Sequence, residues 1–270
     1  MNKKYAAKFP EWTKNNKYNM CLSDDLDSLF STILLNKILG YEVTHFYDFS
    51  NIYKAIDYKA NDDVIAVDVD TIYTKCWSNH VVPFDNPDSA NLNQVENIDR
   101  YNYYSKYAGS TLLQIISYYD LDISMLSEEA KLVLLSVDST FMMYNFNKDN
   151  CQKLLVNVLE LPELFELCKK YSNEQSEFYK IQDKYKMKEK IYINNDGMLE
   201  TSIDLEGLSK LFGMSFILLK NKFKATHTLH IEHLYDVQLD DFIKELQEKH
   251  KTIFSAARTR KNYIKLSYLN

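Results

Sequence analysis

Acidic and imidazole side chains recur at four points in the first half of the chain, each beside an apolar stretch. Asp25 and Asp27 precede an apolar segment, Asp68 closes the run Val-Ile-Ala-Val, His80 comes next, and Asp138 follows a leucine-rich stretch. Carboxylates and imidazole are suitable ligands for an octahedral divalent ion that keeps open water positions. Such an ion acidifies its water and polarises a phosphoryl oxygen. The residues Asp27, Asp68, His80 and Asp138 therefore predict a manganese site, with magnesium as the alternative ion.

Strands and helices alternate around these residues. We expect strands over 18–22, 41–49 and 61–70, and helices over 29–40, 109–120 and 128–141. This alternation is typical of an α/β fold with a doubly wound, mainly parallel sheet. Because ligands bind at the carboxyl ends of parallel strands, the loops at that edge would bring the acidic side chains together.

The second half of the chain has a different pattern. Residues 151–190 are rich in helix-forming and charged residues and predict a helical linker. Strands near 191–194, 214–220 and 263–269, with a helix over 240–250, predict a smaller α/β unit. We therefore expect three parts, with bounds 1–150, 151–190 and 191–270.

Composition excludes several common sites. The chain has five glycines, with no G-x-G spacing and no Gly-Lys pair, which excludes a P-loop and a Rossmann dinucleotide fingerprint. Its four cysteines form no C-x-x-C pair, so a zinc ribbon is not expected, and reduced thiols are favoured over disulfides. The first residues contain no apolar core typical of a secretory signal, so we expect no leader, and no apolar run reaches the roughly 18 residues that a membrane span needs. We expect a cytoplasmic protein with no membrane partner.

Charge is unevenly distributed. Residues 1–150 carry a net charge of −8 and residues 151–270 carry +2, for a total of −6. An acidic first half argues against sequence-independent binding along duplex DNA. It is compatible with a carboxylate-rich site whose charge a cation neutralises.

The order of the acidic motifs resembles that of the DHH phosphoesterase superfamily, which contains RecJ-type exonucleases and nano-RNases. Asp25-Leu26-Asp27 is similar to the first motif, Asp68 to the second, Asn79-His80-Val81 to the name-giving third, and Asp138 to the fourth. The resemblance covers residues 18–145. It implies a metal-dependent phosphoesterase that holds Mn²⁺ through Asp27, Asp68, His80 and Asp138, with Asp25 and His80 in catalytic roles.

The chain also departs from the pattern of this superfamily. Asn79 and Val81 stand where the third motif has an Asp and a second His, and Cys21 stands where some members have a His. The resemblance therefore implies either a one-metal site or an inactive one. A simpler role also stays open for Asp25, because an Asp before an apolar run commonly caps a helix.

The C-terminal segment contains two candidate substrate-binding residues. The resemblance implies that an arginine-bearing strand holds the substrate, and Arg258 and Arg260 are similar to it; the Gly-rich His loop found in relatives is absent. Arginine suits phosphate because its planar guanidinium makes bidentate contacts. The alternative is that both belong to a solvent-exposed strand face.

Two functions from different classes follow. The first is hydrolysis of phosphodiester bonds in single-stranded nucleic acid, short oligonucleotides or linear or cyclic dinucleotides. The second is a catalytically inactive module that binds nucleotides or a protein.

Overall fold

The computed structural model describes residues 1–14, 18–58 and 63–269. The strands are β1 (Asn19–Leu22), β2 (Glu42–Tyr47), β3 (Asn51–Ala55), β4 (Val64–Val67), β5 (Cys76–Trp77), β6 (Ser89–Ala90), β7 (Ile191–Ile193), β8 (Leu199–Thr201), β9 (Phe223–Tyr235), β10 (Thr252–Arg260) and β11 (Tyr263–Leu269). The helices are α1 (Lys3–Ala6), α2 (Leu26–Leu39), α3 (Leu92–Val95), α4 (Thr111–Tyr118), α5 (Glu128–Ser136), α6 (Met142–Phe146), α7 (Lys148–Gln152), α8 (Pro162–Lys170), α9 (Ser176–Lys184), α10 (Leu205–Phe212) and α11 (Asp236–Glu248). Short 3-10 turns cover Glu11–Lys14 and Tyr103–Ser105, and Lys153–Val158 is a π-helical segment.

Nine of the strands form one mixed sheet, so the predicted α/β class is confirmed. Their order is β10-β11-β9-β3-β2-β1-β4-β5-β6. The neighbouring strands β2, β1, β4, β5 and β6 pair in parallel. On the other side of β2, the strands β3, β9, β11 and β10 continue the sheet in antiparallel pairs. The carboxyl ends of β1, β4, β5 and β6 therefore meet at one edge.

The centre of the parallel region follows from its sequence. All four residues of β1 are buried, because β1 lies between β2 and β4. The next helix, α2, is buried along most of its length. Asp25 caps its N-terminus by accepting a hydrogen bond from the Ser28 amide, and Gly40 caps its C-terminus with a φ of 72°, which favours glycine. The capping role considered for Asp25 is thus present.

The C-terminal strands join the same sheet as the N-terminal ones. β9 pairs with β3 through its first residues and with β11 through its last. β10 then reaches the carboxyl edge of the parallel strands, where Ser255 pairs with Thr71 and the Ala256 amide donates to the Asp70 carbonyl. The division at 150 and 190 stays a prediction. Residues 15–17, 59–62 and 270 fall within the predicted parts but lie outside the described residues.

The predicted strand over 214–220 is wrong. This segment has no regular secondary structure, although helices do occupy much of 151–190 as expected. One of its apolar residues serves packing instead: Phe216 lies with its ring centre 4.6 Å from that of Phe30 on α2. Burial against α2 thus explains the position of Phe216 without a strand partner, whereas Ile217 is 66% exposed. In the described part of the chain, no helix is long and apolar enough to cross a bilayer.

Candidate functional site

A small cavity at the carboxyl edge of the parallel strands gathers most of the predicted site residues. Its volume is about 200 Å³, and we call it the carboxylate chamber. The ionisable side chains that line it are Asp25, Asp68, Asp70, His80, Asp138 and Lys265. They come from the loops after β1, β4 and β5, from the end of α5 and from β11. Of the predicted metal ligands, only Asp27 does not line this cavity.

Asp68 occupies the end of β4 in a conformation that few non-glycine residues adopt. Its φ is 60°, and its amide donates to the Trp77 carbonyl on the neighbouring strand. Thr111, at the start of α4, donates from Oγ1 to Asp68 Oδ1 at 2.7 Å. Left-handed backbone at a non-glycine residue costs free energy and is enriched at functional sites. Here that backbone places the carboxylate at the chamber.

Asp27 lies behind the chamber and anchors one helix to another. Its Oδ2 accepts from the Thr111 amide at 2.9 Å, and its Oδ1 accepts from the Leu112 amide at 2.8 Å. These amides belong to the first turn of α4, where backbone donors have no partner within the helix. The carboxylate also complements the positive end of the helix dipole. Asp27 is therefore the residue that joins α2 to α4.

His80 is oriented by Asp70. Its Nδ1 donates to Asp70 Oδ2 at 2.8 Å, which leaves Nε2 as the nitrogen without a carboxylate partner. The imidazole is 41% exposed, whereas the Asp70 side chain is only 6% exposed. Burial opposes the positive charge, but the Asp70 carboxylate, together with Asp138 and Asp68, raises the pKa of His80 to about 10. Without a metal ion, the chain thus holds a positive imidazolium among carboxylates, and a cation bound at Nε2 would have to displace its proton.

Asp138 is held by the residue that departs from the third motif. Asn79 donates from Nδ2 to Asp138 Oδ2 at 2.9 Å and to the Gly109 carbonyl at 2.8 Å. An aspartate at position 79 could not donate either hydrogen bond and would add a further negative charge. Asn79 thus positions Asp138.

Two lysines bring positive charge to the acidic edge. Lys190, just before β7, lies with Nζ 2.9 Å from Asp24 Oδ1 and 3.6 Å from Asp25 Oδ2. Lys265 on β11 lines the chamber, with Nζ 3.8 Å from the centre of the Phe49 ring. Burial lowers the pKa of Lys265, and the Asp24 carboxylate opposes that shift. Both lysines come from parts of the chain far from the acidic motifs.

Like charges dominate the rest of the chamber. Burial and the Asp25 carboxylate raise the pKa of Asp68, and His80 opposes the increase. Burial also raises the pKa of Asp138, which His80 again opposes. For Asp27, burial raises the pKa and so do the charges of Asp68 and Asp138, against the amide donors of α4. Buried carboxylates that interact in this way favour a cation or a proton among them.

The donor atoms suit a divalent cation, but their spacing is not that of a finished metal site. In residues 1–14, 18–58 and 63–269, no three His, Cys, Asp or Glu side chains are placed to hold one ion. Both carboxylate oxygens of Asp27 accept hydrogen bonds from the amides of α4. Asp68 and Asp138 each accept a hydrogen bond from a neighbouring side chain through one oxygen. Three atoms remain as candidate metal ligands: the second oxygens of Asp68 and Asp138, and Nε2 of His80. Mn²⁺ binds both carboxylate oxygen and imidazole nitrogen.

A larger cavity adjoins the chamber. Its volume is about 710 Å³, and it shares His80, Asp138 and Thr259 with the chamber. We call it the aromatic groove, because its lining includes Tyr103, Tyr104, Tyr107 and Phe146. The groove therefore opens directly onto the acidic residues.

The two predicted substrate-binding arginines both line the aromatic groove, in different states. Arg258 is 6% exposed and forms an ion pair with Asp236, which is 8% exposed. Arg260 is exposed at the end of β10. The solvent-exposed alternative therefore describes Arg260 and not Arg258, whose guanidinium is already engaged by a carboxylate.

Several residues of the site were not predicted from the sequence. Thr111 stands in a Ser-Thr pair before an apolar run, so its capping chemistry was readable but its contact with Asp68 was not. Lys190 and Lys265 carry no local signal, because only the fold brings them to Asp24 and the chamber. The chain matches no protein-family model, and searches of curated proteins and of solved structures also found no match.

Proposed function

We propose that this chain is a phosphodiesterase whose reaction takes place at the carboxylate chamber with a divalent cation, Mn²⁺ or Mg²⁺. The observation that carries the proposal is the convergence of Asp68, His80 and Asp138, from separate loops, on one small cavity at the carboxyl edge of the sheet. These residues would hold the cation, which supplies positive charge that polarises a phosphoryl oxygen and acidifies water. The DHH resemblance remains part of this proposal.

The protein's own residues have separate tasks in this scheme. Asp70 holds the His80 ring through Nδ1, so that Nε2 can face a substrate oxygen or the cation. Lys265, at the chamber wall, offers a positive charge to a phosphate oxygen. Lys190 balances the charge of Asp24 and Asp25, where Asp25 supports the site. Single-stranded nucleic acid, short oligonucleotides and dinucleotides are the substrates to consider, with Arg260 in the adjoining groove.

A specific observation favours the second candidate, an inactive nucleotide- or protein-binding module. Among the described residues, no three side chains are already placed to bind one metal ion. Both carboxylate oxygens of Asp27 accept hydrogen bonds from amides of α4. In that case the carboxylates would be neutralised by His80, Lys190 and Lys265. The groove would then bind its ligand without hydrolysis.

The experiment combines metal binding with cleavage. Mn²⁺ binding is measured by calorimetry, and cleavage of a fluorescent single-stranded oligonucleotide is followed with Mn²⁺ and with EDTA. We expect cleavage only with the metal and a loss of at least about 100-fold in Asp68→Asn and His80→Ala, since each removes a group aimed at the chamber.

The matched control is Asp63→Asn, which removes an exposed carboxylate paired with Lys75 outside the chamber. It should retain full activity. Wild-type protein that folds, binds nucleotides, and neither binds Mn²⁺ nor cleaves any of the substrates would support the inactive module and reject the phosphodiesterase.

The remaining expectations belong to the same proposal. The four cysteines are free and buried, which supports a reducing compartment such as the cytoplasm. As a phosphodiesterase, the protein would have a nucleotide or a single-stranded nucleic acid as its partner, and not a membrane. A two-lobed arrangement, with the second lobe holding the substrate, would place β10 and β11 on the substrate side of the chamber.

A further inference from the structure

A third cavity continues the path that leads out of the carboxylate chamber. Its volume is about 430 Å³, and we call it the outer pocket. It shares Lys261 with the aromatic groove, as the groove shares His80, Asp138 and Thr259 with the chamber. The chamber, the groove and the outer pocket thus adjoin one another in sequence.

All three arginines of the chain lie along this path. Arg258 and Arg260 line the groove, and Arg100 lines the outer pocket, while the other 29 of the 32 lysine and arginine residues are lysines. Arg258 is neutralised by Asp236, but Arg100, Arg260 and Lys261 have no carboxylate at ion-pairing distance among the described residues. A protein with a net charge of −6 thus concentrates unpaired cations beside its acidic chamber.

Exposed aromatic rings accompany these cations. Tyr104 and Phe146 in the groove, and Tyr101 and Tyr235 in the outer pocket, are between 60% and 78% exposed. The rings of Tyr104 and Phe146 are stacked, with centres 6.3 Å apart. Lys261 Nζ lies 5.1 Å from the centre of the Tyr104 ring. Arg100 covers the Tyr101 ring at 4.7 Å.

This combination is complementary to single-stranded nucleic acid. Base faces stack on exposed aromatic rings, and phosphates pair with the nearby cations. A duplex hides its base faces, and an acidic peptide has no planar bases for the rings. Because the rings occupy two successive cavities beyond the chamber, a dinucleotide would not use them all.

We propose that the aromatic groove and the outer pocket form one binding track for a single-stranded nucleic acid of several nucleotides, which enters the chamber by one end. The proposal deepens the proposed function, on which the reaction at the inner end of the track rests. It selects an extended strand over cyclic and linear dinucleotides as the substrate class. Arg100 and Tyr101 are its most distant elements and determine the preference for length.

The test is binding measured without reaction. Fluorescence anisotropy is recorded in EDTA with labelled oligo-dT of two and eight nucleotides. We expect the eight-nucleotide strand to bind at least about ten-fold more tightly, because base stacking adds for each ring used. The double variant Arg100→Gln, Tyr101→Ala should weaken binding of the eight-nucleotide strand at least about five-fold and leave dinucleotide binding unchanged. The affinity of the double variant for the eight-nucleotide strand should also depend less steeply on salt concentration than that of the wild type.

The control is Tyr73→Ala, which removes another exposed tyrosine that lines none of the three cavities. It should bind like the wild type. Equal affinity for the two lengths, an unchanged double variant, or equal competition by poly-glutamate would overturn the track. Because EDTA prevents metal-dependent cleavage, strong length-dependent binding with no Mn²⁺-dependent activity would reject the phosphodiesterase and keep the track. Cleavage of dinucleotides without length-dependent binding would support the phosphodiesterase and reject the binding track.

Discussion

The two hydrogen bonds from the first turn of α4 make Asp27 the most informative residue to change. In Asp27→Asn, the amide oxygen can still accept from one backbone amide. Its NH₂ group then faces the other amide, either Thr111 or Leu112, and leaves a buried donor without an acceptor. Each hydrogen bond to a charged group contributes about 1.5–3 kcal/mol, and a buried unsatisfied donor costs about 1–3 kcal/mol.

Removing the Asp27 charge also relieves repulsion with Asp68 and Asp138, which offsets part of the loss. We therefore expect the free energy of unfolding to fall by about 2–3 kcal/mol. For a protein of this size, that corresponds to a Tm lower by roughly 4–12 °C. The measurement is urea and thermal unfolding in EDTA, followed by far-UV circular dichroism.

The matched control is Asp138→Asn, the same chemical change inside the chamber. Its new amide oxygen can still accept from Asn79, and it removes a charge that its neighbours disfavour. We expect its stability in EDTA to equal or exceed that of the wild type. The reasoning is refuted if Asp27→Asn unfolds within about 0.5 kcal/mol of the wild type, or if Asp138→Asn loses as much as Asp27→Asn.

Two further predictions concern pH and the second buried charge. Because Asp68, Asp138 and His80 have raised pKa values in the folded protein, the native state binds more protons at these groups than the unfolded chain does, and the metal-free protein should become less stable from pH 6 to 9. The His80 contribution is fully present below its unfolded pKa and is lost as the pH rises through about 10. Urea midpoints in EDTA should show this slope, and a midpoint that rises with pH would contradict it. Arg258→Met should cost about 3–5 kcal/mol, because it leaves Asp236 buried without its partner. The exposed Arg260→Met should change stability by less than about 0.5 kcal/mol, and equal losses in the two variants would contradict the assignment.

Local signals predicted the parallel core well. The buried β1, the helix that begins after Asp25 and ends at Gly40, and the strand that ends at Asp68 all follow from apolar patterning, capping and glycine chemistry over a few residues. The same patterning misled at 214–220, where Phe216 packs against α2 and the segment forms no strand. A pattern of burial shows that side chains are covered but does not show what covers them.

The amino-acid sequence by itself determined which residues could form an acidic site, because residue type and position after a strand are local properties. Tertiary structure decided their roles. In the folded protein, the carboxylate of Asp27 accepts hydrogen bonds from the amides of α4, and Arg258 pairs with Asp236. Lys265 on β11 lines the chamber. Hydrogen bonds and ion pairs depend on distances between segments that are far apart in the chain, and only the folded backbone sets those distances.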